Sequence, residues 1–220
     1  MRYHKIPDET VKRLPIYWRA LKFISARGGT HISSQKLADI SHINPWQIRK
    51  DLSYFGALGV RGIGYETKKL SQKIGDILRL NGIQKAALIG VGNLGQALLK
   101  YSGFKSYGLD IIAAFDKHPQ RIGKTINQVK IDNISKLNEL KRSKIHIGIL
   151  TVPEAQAQEV ALKLVDVGVC GILNFAPLHL DLPKKVTVIN IDIALDLALL
   201  PYYMPANLVS KKYIVKQNNY

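Results

Sequence analysis

The sequence predicts an α/β chain in two parts, and three observations carry that prediction. Apolar runs alternate with helical patterns from residue 81 onward. Three short helical patterns and a glycine-spaced hairpin precede them. A Gly-Val-Gly-Asn-Leu-Gly loop opens the second part. Alternation of this kind builds a parallel sheet with helices on both faces. Three short helices followed by a hairpin are the parts of a winged helix-turn-helix. The expected division is a winged-helix domain over residues 1–80 and a doubly wound, Rossmann-type domain over residues 81–220, with Asn81-Gly82 punctuating the join.

Each element has a local reason. Residues 8–27 carry Val11, Leu14, Tyr17, Trp18, Leu21 and Ile24 or Ser25 at helical spacing, with Asp8 or Thr10 as possible caps and Gly28-Gly29 as the stop. Pro15 predicts either a kink or a helix that begins there. Ser33 is a plausible cap for a short helix bearing Leu37, Ala38 and Ile40. Asn44 caps a third, with Pro45 at its first position, Gln47 placed as in a capping box, and Gly56 at its end. Alternating glycines and apolar residues over Ala57–Tyr65 suit a β-wing, and Lys68–Leu80 has a helical pattern. Beyond Asn81 the strands expected are Lys85–Ile89, Leu109–Phe115, His146–Leu150, Gly171–Leu173 and Val186–Ile191. The helices expected are Leu94–Tyr101, Ile134–Arg142, Ala155–Val167 and Ile193–Leu200, before a polar, fraying tail over Lys211–Tyr220.

Composition narrows the partners. Apolar residues make up 46% and charged residues 22%, ordinary for a globular protein that buries a core without staples. Lys and Arg number 32 against 16 Asp and Glu, a net +16, and such an excess favours a polyanion by field alone. Residues 1–80 hold 15 basic and 6 acidic side chains, so the front third is the expected nucleic-acid face. Cys170 is the sole cysteine. It excludes an intramolecular disulfide, fits a reducing compartment, and is expected to be a small buried hydrophobe within Val167–Leu173. No apolar run reaches the ~20 residues that span a bilayer, and Met1–Pro7 has no signal core. No membrane partner is expected, and the expected location is cytoplasmic.

The third helix of a winged helix-turn-helix lies in the major groove and reads bases through residues near its start. Trp46, Gln47, Arg49 and Lys50 hold those positions. Gln pairs bidentately with adenine and Arg with guanine, while Lys50 more naturally reaches a phosphate. Ser53 on the same helix, with Arg61 and Gly62 in the wing, completes the expected DNA-binding set, and Arg61 is placed for the adjacent minor groove or backbone. The expected partner is double-stranded operator DNA, palindromic and A·T-rich, gripped by a homodimer. Ile48, Leu52 and Phe55 share one face and should be core. Asp51, which phosphate repels, is expected to cap or to pair with a neighbouring base-reading arginine or a wing residue. A basic solvated helix on an enzyme's accessory domain would show the same spacing.

Gly90-Val91-Gly92-Asn93-Leu94-Gly95 follows a predicted strand, opens a helix, and has Asp116 at the end of the next strand. Gly90 permits the tight turn, Gly92 lets backbone approach a pyrophosphate, Gly95 lets helix pack on strand, and Asn93-Leu94 offers unpaired N–H groups. Asp116 would accept from the adenine ribose hydroxyls and repel a 2′-phosphate, favouring NAD (NADH and NAD+) over NADP. Lys117 beside it could tolerate the extra phosphate. Two rivals share these features: a coenzyme A-binding domain, and an NAD-dependent oxidoreductase with a basic appendage. His118, His146 and His179 have no evident catalytic partner, and no catalytic or metal-ligand constellation stands out, so no catalytic and no metal residue is expected.

The run from Gln47 to Tyr65, QIRKDLSYFGALGVRGIGY, resembles the most distinctive stretch of the redox-sensing transcriptional repressor family Rex. The likeness continues through Thr151-Val152-Pro153 and Gly171–Pro177, covering about Lys12 to about Tyr203. Leu58 stands where that family usually has an aromatic, and Pro45-Trp46 replaces small or polar residues. The resemblance implies a repressor rather than an enzyme, sensing the NADH/NAD+ ratio through NADH-driven closure of a dimer that then releases DNA. It implies that Thr151, Val152 and Pro153 border the cofactor, and that the nicotinamide pocket involves Tyr101, Asn174, Phe175, Ala176, Pro177 and Asp192. Arg19 corresponds to a residue that exchanges partners with Tyr101 and Asp192 between ligand states. The family's terminal helix is exchanged between subunits. Here Ile193–Leu200, with Leu195, Leu197, Leu199 and Leu200, is too apolar to stand alone, and Pro201 and Pro205 shorten the expected domain-swapped arm.

Overall fold

The computed structural model describes residues 6–56, 58–205 and 208. The expectations for Met1–Lys5, for Ala57 in the wing and for the Lys211–Tyr220 tail lie outside them. The chain divides into two compact units, Met1–Ile83 and Gln84–Tyr220.

The first unit contains α1 (Asp8–Ala26), β1 (His31–Ile32), α2 (Ser34–Ser41), α3 (Pro45–Ser53), β2 (Gly59–Val60), β3 (Gly64–Glu66) and α4 (Thr67–Ile77), with the three strands antiparallel in the order β1-β3-β2. Helix α1 runs unbroken through Pro15, neither kinked into two helices nor starting there. The proline withholds an N–H from the Val11 carbonyl, and Val11 is exposed, so water can serve that carbonyl. Neither Asp8 nor Thr10 caps α1; Pro7 occupies the cap position without a side-chain bond. The helix closes as expected at Gly28, whose φ is +80°, with Gly29 N–H bonded to the Ile24 carbonyl in a Schellman arrangement. Ser33 caps α2 by accepting from Lys36 N–H, and Asn44 caps α3 by accepting from Trp46 N–H.

Asp51 departs from expectation. It is fully buried and faces α1, not a base-reading arginine or the wing. Its carboxylate accepts from Thr10 Oγ1 at 2.9 Å, Arg13 Nε at 2.6 Å and Nη2 at 2.9 Å, and Tyr17 OH at 2.7 Å. Gln47 Nε2 donates to it at 2.8 Å, so Gln47 turns along α3 rather than back to the cap, and no capping box forms. Thr10 takes the inward place on α1 that hydropathy assigns to Val11. Around this centre pack Leu14, Leu21, Leu37, Ile48, Leu52, Phe55, Leu70 and Ile74.

The second unit contains β4 (Gln84–Ile89), α5 (Asn93–Lys100), a 3-10 turn (Ser102–Tyr107), β5 (Leu109–Asp116), β6 (Thr125–Ile126), β7 (Val129–Asn133), a 3-10 segment (Ile134–Arg142), β8 (Ile147–Leu150), α6 (Glu154–Asp166), β9 (Gly171–Asn174), β10 (Thr187–Asn190) and α7 (Ile193–Tyr203). The sheet order is β10-β9-β8-β4-β5-β7-β6, with every neighbouring pair parallel except the β6–β7 hairpin. Alternate residues of β4 feed two cores: Ala87 and Ile89 pack with α6 residues Val160, Ala161 and Leu164, while Ala86 and Leu88 pack with Leu99 of α5. A strand covered on both faces reads as a continuous apolar run.

Three features differ from the sequence reading. Strands β6 and β7 were not anticipated; they join through Asn127 and Gln128, both at positive φ (49° and 67°), the signature of a two-residue hairpin turn. Cys170 is exposed rather than buried, because Val169 takes the inward place at the entry to β9. Helix α7 extends through Pro201 to Tyr203, and Ile193, Leu195, Leu197, Leu199 and Leu200 are each more than half exposed. Among the described residues, no helix is long and apolar enough to cross a membrane.

Burial alone would raise the Asp51 pKa, but hydrogen bonds from Arg13, Tyr17, Gln47 and Thr10 outweigh it and hold the carboxyl below its ordinary 3.8. A depressed native pKa contributes stability above the unfolded value, lost as pH falls through the native one. Asp51→Asn should therefore destabilise the first unit by about 3–5 kcal/mol at neutral pH, the range for breaking a buried pair. It should also flatten the loss of stability below pH 3.8. Both tryptophans, Trp18 and Trp46, lie in this unit, so denaturant titration followed by their fluorescence in the full chain measures both effects.

Candidate functional site

Strands β5 and β8 flank β4, so the connections leaving β4 and β8 part at their carboxyl ends and open a crevice there, as at the switch point of doubly wound sheets. The crevice holds about 480 Å³ and is lined by Gly90, Gly92, Leu94, Thr151, Val152 and Pro153 on one side. Asp116, Lys117, His118, Arg121, Gln156 and Phe175 line it too, with Ile89 and Ile134 as its apolar members.

The glycines have distinct duties. Gly90 turns at φ +95°, and a Cβ there would meet the Thr151 carbonyl oxygen at 2.6 Å. A Cβ on Gly95 would collide with the Gly90 carbonyl, so α5 can start against β4 only with glycine at that position. Gly92 has ordinary φ and open space beyond it, a place where a ligand can come close to the protein backbone. Thr151 ties the two connections together: its hydroxyl donates to the Gly90 carbonyl at 2.7 Å and lies 3.1 Å from that of Ile89. Asn93 is exposed at the first turn of α5, while Val91 is buried in the core. The leading N–H groups of a helix have no partner within it and attract anions. An open glycine, a helix start and a close-packed glycine behind it fit a dinucleotide pyrophosphate.

Asp116 is 4% exposed. Its Oδ2 accepts from Val91 N–H at 2.6 Å and Arg121 Nη1 at 3.0 Å, and its Oδ1 accepts from His118 N–H at 2.7 Å. Burial pushes its pKa up, but the His118 N–H, Arg121 and the Val91 N–H together hold it below the ordinary carboxylate value. Asn174 is also fully buried: its side-chain amide donates to the Ala176 and Leu178 carbonyls and to Asn190, while its oxygen accepts from Ala176 N–H. Asn174 therefore shapes the turn that sets Phe175 into the crevice wall; Ala176 is buried and Pro177 exposed. Gln156 and Arg121 escaped the sequence reading. Arg121 was findable as a cation five residues beyond the acid, and Gln156 carried no signal.

Tyr101 follows α5, 57% exposed, with its ring edge-on to Phe104 at 5.0 Å. Asp192 caps α7, accepting from Ala194 and Leu195 N–H at 3.1 Å each. Arg19 lies exposed on α1 of the other unit.

On the first unit, Arg49, Ser53, Arg61 and Gly62 line one groove of about 540 Å³ between α3 and the β2–β3 wing. Arg49 Nη1 donates to Ser34 Oγ at 2.9 Å, which fixes its guanidinium at the edge of α2. Trp46 is exposed, with Lys50 Nζ 5.1 Å from its ring centroid, a cation–π contact. Gln47 has one amide donor on Asp51. Ser53 Oγ donates to the Lys50 carbonyl at 2.7 Å. Gly62 turns the wing at φ +83°. Among the described residues, no group of three His, Cys, Asp or Glu is placed to hold a metal.

The glycine geometry gives a direct test. Gly95→Ala should cost about 1–3 kcal/mol, as overpacking does, whereas Gly92→Ala should leave stability unchanged; far-UV circular dichroism melts of the full chain separate the two.

The sequence matches the family "Putative DNA-binding protein N-terminus" over residues 5–53 and the family "CoA binding domain" over residues 81–178. It is 43% identical over 203 residues to the redox-sensing transcriptional repressor Rex of Desulfitobacterium hafniense, covering 92% of this chain and 97% of that one. With the Rex of Leuconostoc citreum it is 45% identical over 201 residues, covering 91% and 93%. Among solved structures it resembles the repressor RSP in complex with beta-NAD+ and operator DNA, with a TM-score of 0.86, 33% identity and coverage of 91% and 93%. RSP in complex with beta-NADH matches with a TM-score of 0.82, 32% identity and coverage of 91% and 94%. With identity above two-fifths sustained over nine-tenths of its length, the chain belongs to the Rex family of redox-sensing transcriptional repressors.

Proposed function

We propose that this chain is a DNA-binding transcriptional repressor that senses the NADH/NAD+ ratio, working as a homodimer that closes and releases operator DNA when the crevice takes up NADH. The carrying observation is the presence, on one chain, of the glycine crevice and the α3–wing groove. The relatives matching nearly the whole length are repressors, which sets aside the oxidoreductase and coenzyme A readings. A cytoplasmic location goes with this reading, since operator DNA and the dinucleotide pool meet there.

On this reading Gly90, Gly92, Asn93, Leu94 and Gly95 hold the pyrophosphate, and the chain around Asp116 and Lys117 meets the adenine ribose. Thr151–Pro153 and Phe175 border the nicotinamide end. NADH brings a neutral ring where NAD+ brings a planar cation, and the two are otherwise alike. The glycine loop therefore cannot distinguish them, and the difference must be read where Phe175, Tyr101 and Asp192 stand. A ligand shifts an equilibrium only by its differential affinity for the two states. A coupling of about 1–3 kcal/mol changes DNA affinity by roughly 5- to 150-fold. Arg19 exchanging between Tyr101 and Asp192 would link that end to α1, and α1 holds α3 through Asp51.

DNA contact falls to Arg49, Lys50, Trp46, Ser53 and Gln47 on α3 and to Arg61 and Gly62 in the wing, on a palindromic, A·T-rich site. Helix α7 is the dimer arm. A helix apolar on every side needs burial, and a second copy supplies the matching surface.

Mobility shifts on an A·T-rich palindrome at fixed salt should show release with NADH and retention with NAD+; equal grip in both would refute the sensor. Salt must be held constant because phosphate contacts make affinity fall steeply with ionic strength. Arg19→Ala and Asp192→Ala should bind DNA yet respond weakly to NADH, and a normal response in both would remove them from the switch. Leu197→Asp combined with Leu200→Asp should give monomers by sedimentation and lose operator binding.

A further inference from the structure

Trp46 stands in the opening turn of α3 with its indole 59% exposed, whereas tryptophan is on average well buried. At about 3.6 residues per turn, Trp46, Lys50 and Ser53 share one face of α3, and all three are exposed. Ile48 and Leu52 lie on the opposite face and are buried in the core of the unit. Trp46 therefore projects from the side of the helix turned away from that core. Its position is fixed twice. Pro45 at the start of the helix and the Asn44 side chain, which accepts from Trp46 N–H at 2.8 Å, hold its backbone. Lys50 Nζ, one turn further on, lies 5.1 Å from the ring centroid and steadies the ring.

An ordered aromatic at the start of a groove-reading helix has few matching surfaces on a duplex. Base edges in the major groove present nitrogen, oxygen and amino groups, and the C5-methyl of thymine is the apolar exception. Phosphates suit the lysine beside it, not an indole. We propose that Trp46 reads thymine, packing its indole on the C5-methyl group at one position of each operator half-site, with Lys50 holding the ring in place. The proposal rests on α3 being the groove-reading helix, and it adds an apolar contact to the polar ones that reading gives Gln47 and Arg49.

Deoxyuridine in place of thymine removes that methyl group and leaves base pairing and every hydrogen-bonding group intact. The duplex to use is the palindrome that the full-length protein selects from randomised A·T-rich sequences, with each thymine of one half-site replaced in turn and mobility shifts read at fixed salt. One of these replacements should weaken binding about three- to sixfold, the scale of one buried methyl group. Trp46→Ala spares the core because the side chain is exposed. In that variant the same replacement should leave affinity unchanged, while Trp46→Phe should keep part of the preference. A wild-type protein indifferent to every methyl group, or a preference undiminished in Trp46→Ala, overturns the proposal and leaves the groove-reading helix standing. Failure to select any duplex overturns that helix assignment and the proposal together.

Discussion

A carboxylate removed from water must find donors within the protein, and both units are organised around one that does. Asp51 draws Thr10, Arg13 and Tyr17 from α1 onto α3, so the helix expected to face DNA cannot rotate without stranding a buried charge. Leaving such a charge unpaired costs several kcal/mol, more than any single apolar contact around it. Asp116 acts likewise in the second unit, binding the glycine loop at Val91 to the connection that carries His118 and Arg121. In each case the buried acid fixes the functional surface around it, and Asp116 also lines the crevice itself.

That distinction explains which parts of the molecule were legible in the sequence. The caps at Ser33 and Asn44, the stop at Gly28 and the three glycines of the loop follow from local chemistry, where a few adjacent residues decide the outcome. The sheet followed from its alternation, because parallel strands need crossovers and a central strand such as β4 must be apolar throughout. Asp51 was misread because its three partners on α1 lie 34 to 41 residues away, beyond any local pattern. Pro15 was misread because a helix tolerates a missing bond when the freed carbonyl faces water. The β6–β7 hairpin turns on Asn127-Gln128 without a glycine, a weaker signal than Asn-Gly. Cys170 shows that an apolar run does not say which of its members points inward.

The candidate sites were legible to different depths. The residue types that line the crevice could be read from the motif, but not that Asp116 would already meet three donors from its own surroundings, nor that Asn174 would be a fully buried brace. Arg49, Ser53, Arg61 and Gly62 do come together along one groove, as a wing beside a third helix requires. Gln47 was read for its chemistry toward adenine, and the fold gives it a neighbour first.

Asp192 sits where the last helix begins, and its Oδ1 receives two backbone amides of that helix. Any cation that approaches this side chain must share it with those amides or pull it away from them. Pulling it away would unravel the opening turn of an apolar helix, at about the 0.5–2 kcal/mol that losing such a cap entails. A charge rearrangement at one point on the surface is thereby tied to the firmness of the segment through which two copies would hold each other.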